Sequence, residues 1–139
     1  MSLLDDLKAD LIRDEGIKLT VYQDSLGKWT IGIGRLVESP GGITEEEAYY
    51  LLRNDIIRTS TALHHNLPWL HKAPYDVSRA VHNMAFNLGV PGLLKFKRML
   101  TALEKGDYET AAKEALKSKW AKQVGERAER IADLIRSAE

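Results

Sequence analysis

The chain contains no cysteine and no long apolar run. The absence of cysteine excludes disulfide bonds, thiolate catalysis and zinc sites built on thiolates. No apolar stretch approaches the roughly 20 residues that a membrane-spanning helix needs. Asp5, Asp6, Lys8 and Asp10 interrupt the start of the chain, which therefore lacks the apolar segment of a secretory signal. We expect a protein that stays in the cytoplasm of the cell that makes it, without stable membrane insertion.

A large net charge is also missing, because 20 Lys and Arg residues balance 20 Asp and Glu residues. Dedicated nucleic-acid-binding proteins usually carry a strongly basic surface. Residues 113–136 could be considered as a helix-turn-helix, but Glu126, Glu129 and Asp133 lie among their basic residues and would repel phosphates. We therefore expect no nucleic-acid partner.

The four histidines show no spacing that is typical of a metal site. His64 and His65 are adjacent, so they point to different sides of a helix. The sequence therefore predicts no metal and no other cofactor.

Apolar spacing divides the N-terminal part of the chain into a helix and a hairpin. Leu3, Leu7 and Leu11 recur at helical spacing, which predicts a helix over 2–15 that ends at Gly16. Between residues 17 and 36 the period changes to two, which predicts a β-hairpin with a turn at 24–27.

The rest of the sequence is typical of helices. Thr44 and Glu47 form a capping box, which predicts a long helix over 44–66. Further apolar periods predict helices over 74–88, 93–103, 111–120 and 128–135. The sequence therefore indicates an α+β fold in one domain. We expect a small antiparallel β lobe over 16–43, a connecting helix over 44–66, and a helical lobe made of 67–139 together with the helix over 2–15.

Glu15 has an unusual position for a carboxylate, immediately before the predicted helix end. The negative end of the helix dipole disfavours a negative charge there by roughly 0.3–1 kcal/mol. It thus favours the protonated form, which a general acid needs. A solvated helix end is the alternative interpretation.

Two residues of the predicted hairpin could also carry chemistry. Asp24 opens the turn, where a carboxylate commonly caps its own turn by hydrogen bonding to the backbone. Thr30 shares its strand face with Gly32 and Gly34, which indicates close approach by a ligand or by another backbone segment, or else close helix packing. The opposite face, with Trp29, should pack into the core.

These residues form one extended motif: Asp14-Glu15-Gly16, Tyr22-Gln23-Asp24 and Trp29-Thr30-Ile31-Gly32-Ile33-Gly34. The motif resembles the phage lysozyme (endolysin) family, glycoside hydrolase family twenty-four, in its T-even phage form. The resemblance continues through Asn83-Met84-Ala85-Phe86, Ser118-Lys119-Trp120 and Arg127-Ala128-Glu129-Arg130, and so covers nearly the whole chain.

The resemblance implies a lysozyme-like fold, with the substrate groove between a β lobe and a helical lobe. It implies hydrolysis of the β-1,4 bond between N-acetylmuramic acid and N-acetylglucosamine in peptidoglycan. Glu15 would be the general acid, and Asp24 and Thr30 would position and activate the attacking water, with inversion. Arg127 would support the catalytic Glu15.

The resemblance also implies which residues contact the substrate: Gly34, Arg35, Leu36, Phe86 and Asn87. Three features differ from the family pattern. Arg35 stands where members often have His, Asn87 stands where a family Gln lines the groove, and the loop over 36–43 is short.

Three other functions fit parts of the sequence. A transglycosylase or a chitinase would be a related glycan-cleaving enzyme, and a peptidoglycan-binding module would lack one of the three catalytic residues. The resemblance favours a monomer that acts on the cell wall after release from the host cytoplasm. Because we see no secretory signal, we expect a separate membrane-permeabilising lysis protein as its functional partner.

Overall fold

The computed structural model describes residues 2–38 and 40–138. They form two compact units whose boundary lies between Tyr50 and Leu51. Most of these residues are helical, and a small antiparallel sheet lies in the first unit. The predicted α+β class is therefore confirmed. Ser39, in the short loop predicted over 36–43, lies outside the described residues.

The first unit begins with helix α1, Leu3–Glu15. The Ser2 hydroxyl oxygen accepts a hydrogen bond from the Asp5 N–H at 3.2 Å, which satisfies one of the free donors of the first turn. At the other end, Gly16 has φ 73°, and its N–H donates to the Ile12 carbonyl at 2.9 Å. The predicted end of this helix is confirmed. Whether α1 belongs to the helical lobe stays a prediction.

The sheet contains strands β1, Lys18–Gln23, β2, Trp29–Gly32, and β3, Arg35–Leu36, in the order β1-β2-β3. The predicted hairpin is confirmed, but the second strand does not run to residue 36. Gly32 and Gly34 have φ of 72° and 71°, values that glycine adopts readily and that turn the chain out of the strand. A separate short third strand follows.

The prediction that the Trp29 face of β2 packs into the core is wrong. Trp29 is 44% exposed, whereas Thr30 is only 3% exposed. Because β2 is the central strand, Thr30 lies opposite Tyr22 on one side and Leu36 on the other. Residues opposite each other share a face, so these neighbours flank the Thr30 side chain.

Helix α2, Glu45–Asn66, continues across the boundary between the two units. Its predicted capping box is confirmed. The Thr44 hydroxyl oxygen accepts from the Glu47 N–H at 3.1 Å, and the Glu47 carboxylate accepts from the Thr44 N–H at 2.9 Å. Within the described residues, no helix has the length and apolar character needed to cross a membrane.

The second unit is helical throughout. Its elements are a 3-10 helix, Pro68–Lys72, and helices α3, Tyr75–Leu88, α4, Val90–Leu93, α5, Lys97–Lys105, α6, Tyr108–Lys117, α7, Lys119–Val124, and α8, Glu126–Arg136. Helices α3 and α6 both pack against α8. The buried apolar side chains of these helices form one continuous core.

Two of the predicted helices are interrupted. The helix expected over 93–103 is divided into α4 and α5, because Phe96 has ψ 57° and leaves the helical conformation. The helix expected over 111–120 ends before Ser118, which has ψ 158° and whose hydroxyl oxygen accepts from the Ala121 N–H at 3.1 Å. Apolar periodicity continues across both breaks, so it could not reveal them.

We predict that Met84→Ala lowers the free energy of unfolding by about 2–5 kcal/mol, because it opens a cavity in the core of the second unit. The Met84 side chain is 0% exposed. Tyr75→Ala, on the same helix but at a side chain that is 78% exposed, is the control and should change stability by less than about 0.5 kcal/mol. Urea unfolding of both variants measures the difference, and equal losses would contradict the assignment of the core.

Candidate active site

The Glu15 carboxylate lies against the backbone of Gly34. A Cβ atom built on Gly34 would come within 3.1 Å of the Glu15 Cδ and Oε2 atoms. The chain also needs glycine at this position because φ is 71°. The last residue of α1 and the turn before β3 are thus brought together. The group that approaches Gly34 is the Glu15 side chain and not a backbone segment, and nothing lies within 4 Å of a Cβ built on Gly32.

Asp24 organises the turn between β1 and β2. Its Oδ1 atom accepts from the N–H groups of Leu26 at 2.8 Å and Lys28 at 2.9 Å, as a turn-capping carboxylate does. Within the described residues, Oδ2 has no hydrogen-bond partner. The turn therefore fixes the carboxylate through one oxygen and leaves the other available.

Asp24 and Thr30 share a hydrogen-bond acceptor. The Lys28 carbonyl accepts from the Asp24 N–H and from the Thr30 hydroxyl, each at 2.9 Å. Since the Thr30 hydroxyl donates its proton to this carbonyl, its lone pairs remain free to accept one. The hairpin thus anchors the Asp24 backbone and the Thr30 side chain on one carbonyl and fixes the direction of the hydroxyl.

The Arg35 guanidinium is bound by the start of α2. Its two terminal nitrogens, Nη1 and Nη2, each lie 2.9 Å from a different oxygen of the Glu47 carboxylate, and Nη1 also donates to the Gly42 carbonyl at 2.9 Å. Arg35, with the Thr44 N–H as the next cause, holds the pKa of Glu47 at about 2, well below its usual range. Glu47 in turn raises the pKa of Arg35.

Leu36 completes the set of predicted site residues in the first unit. It is half-buried, lies opposite Thr30 in the sheet, and accepts at its carbonyl from the Gly42 N–H at 2.9 Å. Its backbone therefore closes the short loop that leads to α2. Contact between Leu36 and a substrate stays a prediction.

In the second unit, Arg127 and Phe86 line a cavity of about 340 Å³. Arg127 donates from Nε to the Asn83 side-chain oxygen at 3.0 Å and from Nη2 to the Asn83 carbonyl at 3.3 Å. Phe86 is 45% exposed. The cavity therefore combines a cation, an amide and an exposed aromatic ring. The predicted support of Glu15 by Arg127 stays a prediction.

The side chain of Asn87 is hydrogen bonded to a core residue of the same unit. Its side-chain oxygen accepts from the Trp120 indole N–H at 2.9 Å, and Trp120 is buried. This fixes the amide so that its NH₂ group remains a donor for a ligand.

Three histidines form a cluster that sequence spacing did not indicate. The rings of His64 and His71 stack with centroids 3.9 Å apart, and His82 hydrogen bonds to the Ser60 hydroxyl at 3.0 Å. Burial, followed by the proximity of His71 and His82, lowers the pKa of His64. In the part of the chain that the structure describes, no group of three His, Asp or Glu side chains could hold a metal ion.

Sequence reasoning missed the partners that position the predicted residues. The Lys28 carbonyl gave no signal, since any residue supplies one, and Asn83 and Trp120 were noted only as parts of motifs. Glu47 was predicted as a helix cap. Its position at the start of α2 was therefore available, but its pairing with Arg35 was not.

Comparison with known proteins identifies the family. Residues 13–138 match the phage lysozyme family. The chain is 35% identical to the pre-baseplate central spike protein Gp5 of Enterobacteria phage T4, over 90% of this chain and 26% of that protein. It therefore spans about a quarter of the length of that relative.

Two shorter relatives match over most of their own length. Probable T4-type lysozyme 1 of Dictyostelium discoideum is 29% identical over 96% of this chain and 95% of that protein. The endolysin of Acyrthosiphon pisum secondary endosymbiont phage 1 is 34% identical over 83% of this chain and 78% of that protein.

The lowered pKa of Glu47 predicts how its ion pair depends on pH. A carboxylate whose pKa is lower in the folded state stabilises the fold above its unfolded value, here 4.5, and loses this contribution as pH falls through about 2. We expect the melting temperature of Glu47→Gln to lie below that of the native chain by a constant amount above about pH 5. The difference in melting temperature between the two proteins should shrink as pH falls from about 4.5 to about 2. If the difference were the same at both pH values, Glu47 would not be stabilised by an ion pair with Arg35.

Proposed function

Because the chain belongs to the phage lysozyme family, a family of glycoside hydrolases, we propose that it is an N-acetylmuramidase acting on bacterial peptidoglycan. The bond cleaved is the β-1,4 bond between N-acetylmuramic acid and N-acetylglucosamine. The observation that carries the proposal is the Glu15 carboxylate, which lies against Gly34 in the same folded unit as Asp24 and Thr30.

In this proposal, Glu15 is the general acid. Hydrolysis of a glycosidic bond needs a carboxylic acid that protonates the leaving oxygen and a second group that activates water. Glu15 is suited to the first task because its side chain is exposed at a helix end and its position is defined by the backbone of Gly34. The proton passes to the glycosidic oxygen as the C–O bond breaks.

Asp24 and Thr30 act on the water. The free Oδ2 atom of Asp24 takes a proton from the attacking water, whose oxygen forms the new bond to the anomeric carbon. The lone pairs of the Thr30 hydroxyl accept the second hydrogen of the water, because its own proton is directed to the Lys28 carbonyl. Direct attack by water inverts the configuration of the anomeric carbon.

The resemblance also assigns roles to three residues of the second unit. We assign Phe86 to a sugar face and the free NH₂ group of Asn87 to an acetamido carbonyl. Arg127 is assigned to support Glu15, as in the family. These assignments rest on the resemblance, on the exposure of Phe86 and on the hydrogen bond that fixes Asn87.

The proposed activity also has a biological setting. We propose that the enzyme takes part in the lysis of a bacterial host. It would be a monomer made in the cytoplasm, and it would reach the wall after a separate lysis protein permeabilises the membrane. The endolysin among the relatives supports this setting.

We predict that Glu15→Gln lowers the rate of wall hydrolysis by about 10²–10⁴-fold, because the amide keeps the shape of the side chain but cannot donate a proton as an acid. Turbidity of purified bacterial walls and mass analysis of the released fragments measure the loss. Binding to intact walls should persist.

Asp10→Asn is the matched control, since it removes another exposed carboxylate from α1 and should leave hydrolysis unchanged. Melting temperatures of both variants establish that they fold. A folded Glu15→Gln variant that hydrolyses walls at the native rate would refute the assignment, and anhydro-muramyl products from the native chain would indicate a transglycosylase.

Gly34→Ala should reduce hydrolysis as well, because the new methyl group displaces the Glu15 carboxylate. Gly106→Ala is the control: φ is 81°, and nothing lies within 4 Å of its new Cβ. Both changes place a side chain at positive φ and should cost about 1–2 kcal/mol of stability. Equal activity of the two variants, measured well below their melting temperatures, would contradict the role given to the contact between Gly34 and Glu15.

A further inference from the structure

The ion pair between Arg35 and Glu47 connects three segments of the first unit. Arg35 lies on β3, Gly42 in the loop that follows, and Glu47 in the first turn of α2. The pair is bidentate, which is the strongest geometry for an arginine and a carboxylate. We call the contacts among Arg35, Gly42 and Glu47 the clamp.

Both ends of the clamp are fixed by further hydrogen bonds. The Glu47 carboxylate also accepts from the Thr44 N–H, so its orientation is set by the cap of α2. On the other side, the Leu36 carbonyl accepts from the Gly42 N–H, which closes the loop onto β3. The guanidinium is therefore held by a backbone carbonyl and by a carboxylate that is itself bound to a backbone N–H.

The clamp lies one residue away from Gly34, whose backbone defines the position of the Glu15 carboxylate. Arg35 directly follows Gly34, against which the Glu15 carboxylate lies. Among the described residues, strand β3 has two residues and pairs with β2, and the Val37 N–H continues this pairing by donating to the Trp29 carbonyl at 2.9 Å. The bidentate pair next to Gly34 adds a restraint on this backbone from the start of α2.

The hydrogen-bonding capacity of Arg35 is largely used by these contacts. Both hydrogens of Nη1 and one of Nη2 are donated to Gly42 and Glu47, which leaves the Nε hydrogen and one Nη2 hydrogen. A direct contact with sugar, as the resemblance implies for this position, would have to use these two.

We propose that Arg35 and Glu47 are positioning residues that hold Gly34 beneath the Glu15 carboxylate, and that they act on turnover rather than on glycan binding. The inference rests on the proposed function, in which Glu15 is the general acid. Neither residue touches the reacting atoms, and their effect passes through the backbone of Gly34.

The test compares Arg35→Gln, Glu47→Gln and the double variant on soluble peptidoglycan fragments. Each single change should lower kcat by about tenfold with KM unchanged within about twofold, since a small misplacement of a catalytic group is costly. The double variant should lose no more than either single variant, because residues that act as one pair are not additive. Arg35→Lys, which keeps the charge without the fork, should retain only part of kcat.

Arg58→Gln is the matched control, because Arg58 is an exposed arginine that pairs with Asp55 on α2, and its loss should leave kcat unchanged. A raised KM with unchanged kcat in Arg35→Gln, and no effect of Glu47→Gln, would overturn the proposal and make Arg35 a glycan ligand. Additive losses in the double variant would overturn it too.

A second readout does not depend on activity. The amide resonance of Gly34 in an ¹⁵N–¹H spectrum should shift in Glu47→Gln, whose changed residue is distant from Gly34 in the sequence, and stay in place in Arg58→Gln. An unchanged Gly34 resonance in Glu47→Gln would overturn the proposal. If Glu15→Gln hydrolysed walls at the native rate while Gly34 shifted as expected, the proposed function would fail and the restraint on Gly34 would stand.

Discussion

The close contact between the Glu15 carboxylate and the backbone of Gly34 is the constraint on which the candidate site depends. It requires a residue without a side chain at position 34 and a helix that ends at residue 15. Gly34 has no Cβ and so meets the first requirement. Gly16 meets the second, because its positive φ ends the helix. Two glycines thus determine where the carboxylate lies, and the clamp behind Gly34 restrains that place further.

The other half of the proposed chemistry depends on a single carbonyl. The Lys28 carbonyl accepts hydrogen bonds from the Asp24 N–H and from the Thr30 hydroxyl, so the same tight turn anchors the backbone of Asp24 and the side chain of Thr30. Thr30 is buried, which keeps its hydroxyl in one orientation. The acid and the water-activating pair are therefore built by two local devices within one small unit.

Local signals in the sequence predicted most of the elements but few of the contacts. The end of α1 at Gly16 and the capping box of Thr44 and Glu47 depend on neighbouring residues, and both are confirmed. The buried face of β2 was predicted wrongly: Thr30 lies between the half-buried side chains of Tyr22 and Leu36, whereas the neighbour of Trp29 in β1 is the exposed Gln23. The pairing of Arg35 with Glu47 depends on the path of the loop between β3 and α2, which the spacing of residues in the sequence does not reveal. The roles of Glu15, Asp24 and Thr30 come from the resemblance and stay proposals.

The stereochemistry of the reaction distinguishes the proposed roles of Glu15, Asp24 and Thr30 from the alternatives. If Glu15 donates the proton while Asp24 and Thr30 direct water to the anomeric carbon, the first product released from a β-linked glycan must be the α anomer. Proton NMR of the new reducing end, recorded before mutarotation, distinguishes the two anomers. We expect the α anomer; an initial β anomer would refute these roles, because retention requires a covalent intermediate or an equivalent second inversion.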